Sequence, residues 1–176
     1  MKFAETPLPG AFVIDVEPIK DDRGFFARTF CRQEFDARGL NPNLVQCNIS
    51  TNRNKATLRG MHYQAKPREE AKVVWCVRGA IYDVIVDLRP ASPAYKRWHA
   101  IELEADSHRM LYIPEGFAHG FQTLVDDTVV YYQMSEYYDA GLARGVRWND
   151  PAFQMAWPEK PRSMSERDRS FPDFAG

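Results

Sequence analysis

One histidine and one lysine, His62 and Lys72, stand in a stretch of β-type sequence running from Thr57 to Arg89, and between them they outline a chemistry. An imidazole titrates near neutrality, so His62 can act as a base in the ordinary working range. A lysine ammonium supplies positive charge where an oxygen gains negative charge. Together they suit removal of a proton beside a carbonyl, with the resulting anion held until a proton returns. Each residue also has a plainer use. A lone strand histidine is more often a hydrogen-bonded structural group, and a lysine at a strand end is more often a surface charge.

These side chains need strands to position them. From Ala80 to Leu88 the even positions Tyr82, Val84, Val86 and Leu88 form one apolar face, with Asp83 and Asp87 on the other beside Ile81 and Ile85, which predicts a strand with one buried face. Val73 to Val77 is a compact β-branched run, and Arg78-Gly79 separates the two, so the pair predicts a β-hairpin. Upstream, Phe12 to Val16 reads as a strand and Lys20 to Gly24 as a turn before Phe25-Phe26, together a hairpin. Cys31 to Arg38, ending at Gly39, predicts a short helix. Val45, Cys47 and Ile49 alternate with Gln46, Asn48 and Ser50, a strand whose polar face suits a wet cavity. A loop at Thr51 to Lys55 leads into Leu58 to Gln64.

Trp98 to Glu104, Met110 to Ile113, Phe121 to Leu124 and Thr128 to Ser135 are further strand-sized runs, with turns at Pro90 to Pro93 and Pro114 to Gly116. Ser163 to Glu166 matches a capping box that starts one brief helix. Short strands at this rhythm predict an all-β barrel or sandwich, and 176 residues suit one domain spanning the whole chain.

Net charge is −1, with 23 Lys and Arg against 24 Asp and Glu, so no long-range field favours nucleic acid or an anionic membrane. An anionic ligand must be held by locally placed basic residues. The longest apolar runs are strand-sized, far short of the roughly 20 residues that span a bilayer, so a soluble protein is expected. Cys31, Cys47 and Cys76 are an odd set with no C-x-x-C spacing and no signal-like amino terminus before them, which points to reduced thiols in the cytoplasm.

The runs L-R-G-M-H-Y-Q from Leu58, A-K-V-V from Ala71, R-G-A-I-Y-D-V-I-V-D-L-R from Arg78, Y-I-P-E-G-F-A-H-G-F from Tyr112 and R-G-V-R-W-N-D-P from Arg144 occur in one order. In these blocks, from about Asp22 to Asp168, the chain resembles the dTDP-4-dehydrorhamnose 3,5-epimerase family. The resemblance implies a cupin-like double-stranded jelly-roll β-barrel with a few short helices, working as a homodimer without metal or cofactor, and with an active site inside each barrel. Metal-binding cupins need a second histidine two residues past the first, and here Gln64 follows His62-Tyr63. The implied substrate is a nucleoside-diphosphate-linked 4-keto-6-deoxy sugar, inverted at C3, with inversion at C5 left open.

By the same resemblance His62 is the base, Asp168 its carboxylate partner, Lys72 the cation near the sugar ketone and Tyr132 the opposing acid. Arg23 and Arg59 correspond to diphosphate-binding arginines, His119 to another active-site position, and Phe26, Gln46, Asn48 and Tyr138 to positions near the nucleotide. Arg28 stands where the family commonly has a glutamate that meets the nucleobase, and Cys47, Ile49 and Gln133 are further departures. An acceptor turned cation predicts a changed nucleotide preference, cytidine- or guanosine-linked. Tyr132 is also explained by core packing beside Tyr131, and Asp168 by a solvated charged run. The alternatives are a C3-only epimerase, a sugar ketoisomerase on the same fold, or a non-catalytic nucleotide-sugar binding module. Strict alternation puts Arg59 and His62 on opposite faces, so both reach one cavity only if the strand is irregular, which predicts a bulge or bend at Gly60.

Overall fold

The computed structural model describes residues 1–176. Strands Lys2–Glu5 (β1), Phe12–Asp15 (β2), Ile19–Asp21 (β3) and Gly24–Phe26 (β4) precede a short helix, Arg32–Asp36 (α1). Gln46–Asn52 (β5), Leu58–Gln64 (β6), Lys72–Arg78 (β7), Ala80–Asp87 (β8) and Trp98–Glu104 (β9) follow. Arg109–Ile113 (β10), Phe117–Thr123 (β11), Thr128–Met134 (β12) and Ala143–Gly145 (β13) complete the strands, and Glu166–Arg169 (α2) lies in the tail. No helix is long and apolar enough to cross a membrane.

One sheet runs β1-β2-β10-β7-β12-β5, a second runs β13-β6-β11-β8-β9, and β3 and β4 form a separate hairpin. From β5 to β13 the chain changes sheet at every step except β8 to β9, and the strands pair antiparallel throughout both sheets, as in a jelly roll. The inner faces of the two sheets meet in a core of Val74, Cys76, Leu111, Ile113 and Val130 from the first with Ile81, Ile85, Leu103 and Phe121 from the second. That packing ends against the partly buried Tyr132, and beyond it the barrel interior opens into a cavity.

The predicted hairpin of β7 and β8 does not form. β7 lies between β10 and β12, and β8 between β11 and β9, so the link at Gly79 is a corner between sheets. Gly79 takes φ +80°, and a Cβ there would stand 2.6 Å from Thr128 Oγ1, so this corner requires glycine. The one-faced reading of β8 is corrected as well. Val84 and Val86 pack outward against Met61, Ala118, Val146 and Phe153, while Ile81 and Ile85 join the inner core. A strand in mid-sheet with layers on both sides buries both faces, and its two inward carboxylates are buried with partners: Asp83 with His119, Asp87 with Arg89 and Ser92.

The bulge expected at Gly60 is present. His119 lies opposite His62 but Phe121 lies opposite Arg59, so β6 uses three steps where β11 uses two. Gly60 takes φ +124°, and a Cβ would come within 2.5 Å of Gly120 Cα. This close backbone approach turns Arg59 and His62 to the same side. The carboxy-terminal stretch covers the outer face of the second sheet with Phe153, Met155, Trp157 and Phe174. Its α2 is capped by Ser165, whose hydroxyl accepts from the Asp168 N–H, two residues later than the Ser163 cap the sequence suggests.

Candidate active site

A cavity of about 500 Å³ opens between the two sheets. The first sheet contributes Gln46, Asn48 and Ser50 from β5, Lys72 from β7, and Tyr132 and Met134 from β12, with Glu70 just ahead of β7. The second contributes Arg59 and His62 from β6, His119 and Phe121 from β11, and Arg144 from β13, and α2 adds Arg167. His62 thus stands on one wall, with Lys72 and Tyr132 on the other.

His62 Nε2 lies 2.7 Å from Asp168 Oδ1, and the Gly60 N–H donates to Asp168 Oδ2 at 3.2 Å. Burial alone would raise the Asp168 carboxyl, but the His62 ring, the Gly60 N–H and the Ser165 cap outweigh it and hold the carboxyl below its ordinary value. An ionised carboxylate at Nε2 fixes the proton there and leaves Nδ1 as the basic nitrogen. Phe171 packs edge-on to the imidazole at 6.1 Å and fills the space above Gly145, where a Cβ would collide with the ring.

Lys72 Nζ sits 2.8 Å from Glu70 Oε1 and 3.4 Å from the His62 carbonyl oxygen. Burial pushes the Tyr132 phenol above its ordinary value, with Arg59 pulling it down and Glu70 pushing it up, so the group stays a proton donor at neutral pH. His119 Nε2 is 2.6 Å from Asp83 Oδ1. Arg59 donates its Nε to Asn52 Oδ1 at 2.7 Å, and Asn52 is anchored in turn to the Thr128 carbonyl. Such a set can abstract a proton on one side of a bound molecule, hold negative charge on an oxygen and donate a proton from the other side.

Other expected residues divide. Gln46, Asn48 and Tyr138 line the cavity, and the Gln46 side chain accepts from the Tyr138 N–H at 3.1 Å. Arg23, Phe26 and Arg28 do not line it. Arg23 is 90% exposed at the tip of the β3–β4 hairpin and pairs with Asp21, Phe26 is 72% exposed, and Arg28 pairs with Glu34 at 3.4 Å. Sequence reading passed over Glu70, Asp83, Arg144 and Arg167. Glu70 precedes Lys72 by two positions and Arg167 adjoins Asp168, so proximity to the chosen residues was the available signal.

The family model described as dTDP-4-dehydrorhamnose 3,5-epimerase matches residues 5–176. A protein of Shigella flexneri described as dTDP-4-dehydrorhamnose 3,5-epimerase is 37% identical, over 96% of this chain and 93% of its own length. A solved dTDP-4-dehydrorhamnose 3,5-epimerase from Bacillus anthracis, with TDP and PPi bound, superposes with a TM-score of 0.94 at 41% identity, covering 98% of this chain and 99% of that one. A 3'-monoepimerase from Streptomyces bikiniensis in complex with dTDP-quinovose superposes with a TM-score of 0.87 at 30% identity, over 96% of this chain and 85% of that one.

Proposed function

The chain belongs to the dTDP-4-dehydrorhamnose 3,5-epimerase family and is an isomerase of that kind, and from this premise we propose that it inverts C3 of a dTDP-linked 4-keto-6-deoxyhexose, and C5 after it. The observation that carries the reading is the His62–Asp168 pair on one cavity wall facing Lys72 and Tyr132 on the other.

His62 Nδ1 takes the proton from the carbon beside the ketone, and Asp168 stabilises the imidazolium that forms. The Lys72 ammonium meets the ketone oxygen as it becomes an enolate. The Tyr132 phenol returns a proton from the opposite face, which inverts the centre. Arg59 and Arg167 hold the diphosphate, because guanidinium groups bind phosphate oxygens in pairs. Gln46, Asn48 and Tyr138 lie toward the nucleoside, and His119, held by Asp83, supports the sugar.

No metal or cofactor takes part. Gln64 stands where a cupin would need its second histidine, and its amide is already committed to the Arg68 and Tyr137 carbonyls and the Asp139 N–H. The protein works as one domain, in the cytoplasm, where its free cysteines stay reduced.

The working unit is a homodimer. The β3–β4 hairpin exposes Ile19, Phe25 and Phe26, and edge strand β5 exposes Ile49, apolar surface that suits a partner. Arg23, Phe26 and Arg28, outside their own cavity, then serve the partner's. Arg28 arrives there already paired with Glu34, so its charge gives no ground for the cytidine- or guanosine-linked sugar expected from the sequence over the dTDP-linked one. The reading is tested by incubation with a panel of nucleotide-linked 4-keto-6-deoxyhexoses and NMR of the product. Turnover of the dTDP-linked sugar with inversion at C3 is expected, and an unchanged panel would defeat it. C3-only inversion is the second reading, favoured by the likeness to the 3'-monoepimerase.

A further inference from the structure

Glu70 is the one acidic residue lining a cavity that is also lined by Arg59, Lys72, Arg144 and Arg167. A site for a doubly charged diphosphate has no electrostatic use for a carboxylate in its lining, so this one needs another reason. It is 8% exposed, its Oε1 lies 2.8 Å from Lys72 Nζ, and its Oε2 is buried with no hydrogen-bond partner. Burying a charge and leaving one oxygen unpaired is costly, and a buried ion pair is often no more stable than an apolar replacement. The pair is therefore poorly explained by stability.

Its geometry suggests the reason. An ammonium has three donors. Glu70 engages one at 2.8 Å and the His62 carbonyl oxygen a second at 3.4 Å, leaving one for the cavity. We propose that Glu70 is a positioning residue for the reaction: it holds Lys72 so that its remaining donor meets the ketone oxygen at a fixed place relative to the base on the facing strand. This rests on the reading of Lys72 as the cation at that oxygen. The anchor is the base's own carbonyl, so a lysine freed from Glu70 would lose its registration to His62. The Glu70 charge also favours the protonated Tyr132 phenol.

The test combines two readouts on the full-length protein, exchange and inversion at C3 by NMR in deuterated water, and dTDP affinity by calorimetry. Glu70→Gln keeps an oxygen acceptor but removes the charge, and about a tenfold slower C3 step is expected with dTDP affinity within about threefold of the parent. Glu70→Ala removes the anchor, and about 10²-fold is expected, the usual loss for a misplacement near 1 Å. In a Lys72→Met background Glu70→Gln should add nothing, because the group it positions is gone. Additive losses, or equal losses in affinity and rate, would overturn the proposal. A slow Lys72→Met beside a wild-type Glu70→Gln would sink only the role given to Glu70. A wild-type Lys72→Met would remove the reading of the lysine and this proposal with it.

Discussion

His62 and Asp168 are 106 positions apart in the chain and meet at 2.7 Å, the imidazole on a central strand and the carboxylate on a four-residue helix of the tail. The contact makes the tail part of the site, and the stretch is held there further by the Gly60 N–H on Asp168 Oδ2 and the Leu58 N–H on the Ser163 carbonyl. The His62 side chain is 42% exposed to the cavity, so it contributes little packing. His62→Ala is therefore expected to slow turnover by roughly 10²- to 10⁴-fold, the usual span for a general base, with a melting temperature near that of the parent. Steady-state rates and thermal denaturation measure both, and a well-folded variant with substantial activity would remove His62 from its role.

Asp168 allows the sign of a pH effect to be worked out. Its carboxyl is held below the ordinary value in the folded protein, so its stabilising contribution is present above the unfolded value of about 3.9 and is lost as the pH falls through the lower folded value. Asp168→Asn should melt below the parent above about pH 4, and that interval should close as the pH falls from about 4 through the lower folded value. An interval that widened as the pH fell below about 4 would show that the carboxylate is not ionised in the folded state.

Tyr132 and His62 reach the cavity from different sheets, which separates proton removal from proton return. Tyr132→Phe should still exchange the substrate's C3 proton for deuterium through His62, but inversion should fall by at least tenfold more than exchange. NMR of one reaction mixture reads both rates. Equal loss of the two would place Tyr132 at the enolate oxygen instead.

Much of this site was legible because strand alternation and one specific irregularity are local properties. The strand Leu58 to Gln64 has the bounds its sequence suggests, and the conflict between Arg59 and His62 under strict alternation locates the Gly60 bulge. What alternation cannot show is which strand pairs with which. The short Arg78-Gly79 connection suggests a β7–β8 hairpin, whereas the fold sends these two strands to opposite sheets. The strand containing His119 was started at Phe121 although it begins at Phe117, because Ala-His-Gly carries no β-branched signal. Glu70 and Arg167 went unnoticed for a related reason, since a charged residue in a turn or tail resembles solvated surface until the fold turns it inward. Arg23, Phe26 and Arg28 were assigned by resemblance alone, and the chain's own cavity excludes them.

The commitment of the Gln64 amide to three backbone groups bears on metal dependence. Activity is expected to survive exhaustive chelation, with Lys72 holding the enolate. Dialysis against EDTA followed by assay measures this, and loss of activity restored by one divalent ion would count decisively against it.

The order in which the two centres react follows from the departures on the outer face of the first sheet. Tyr131 lies opposite Ile49 and Gln133 opposite Cys47, so Cys47 and Gln133 lie on the outward side behind Asn48 and Tyr132, with Ile49 beside them reaching the cavity rim. Both C3 and C5 flank the ketone, so one base and one cation can serve each in turn, provided the ring shifts after the first inversion. That second placement depends on the wall that Asn48 and Tyr132 make. A displacement on the order of 1 Å would cost the second step roughly 10²-fold while leaving the first intact. Exchange in deuterated water should therefore label C3 first and C5 later. An NMR time course follows both positions, and faster labelling at C5 would show that the altered backing does not govern the second inversion.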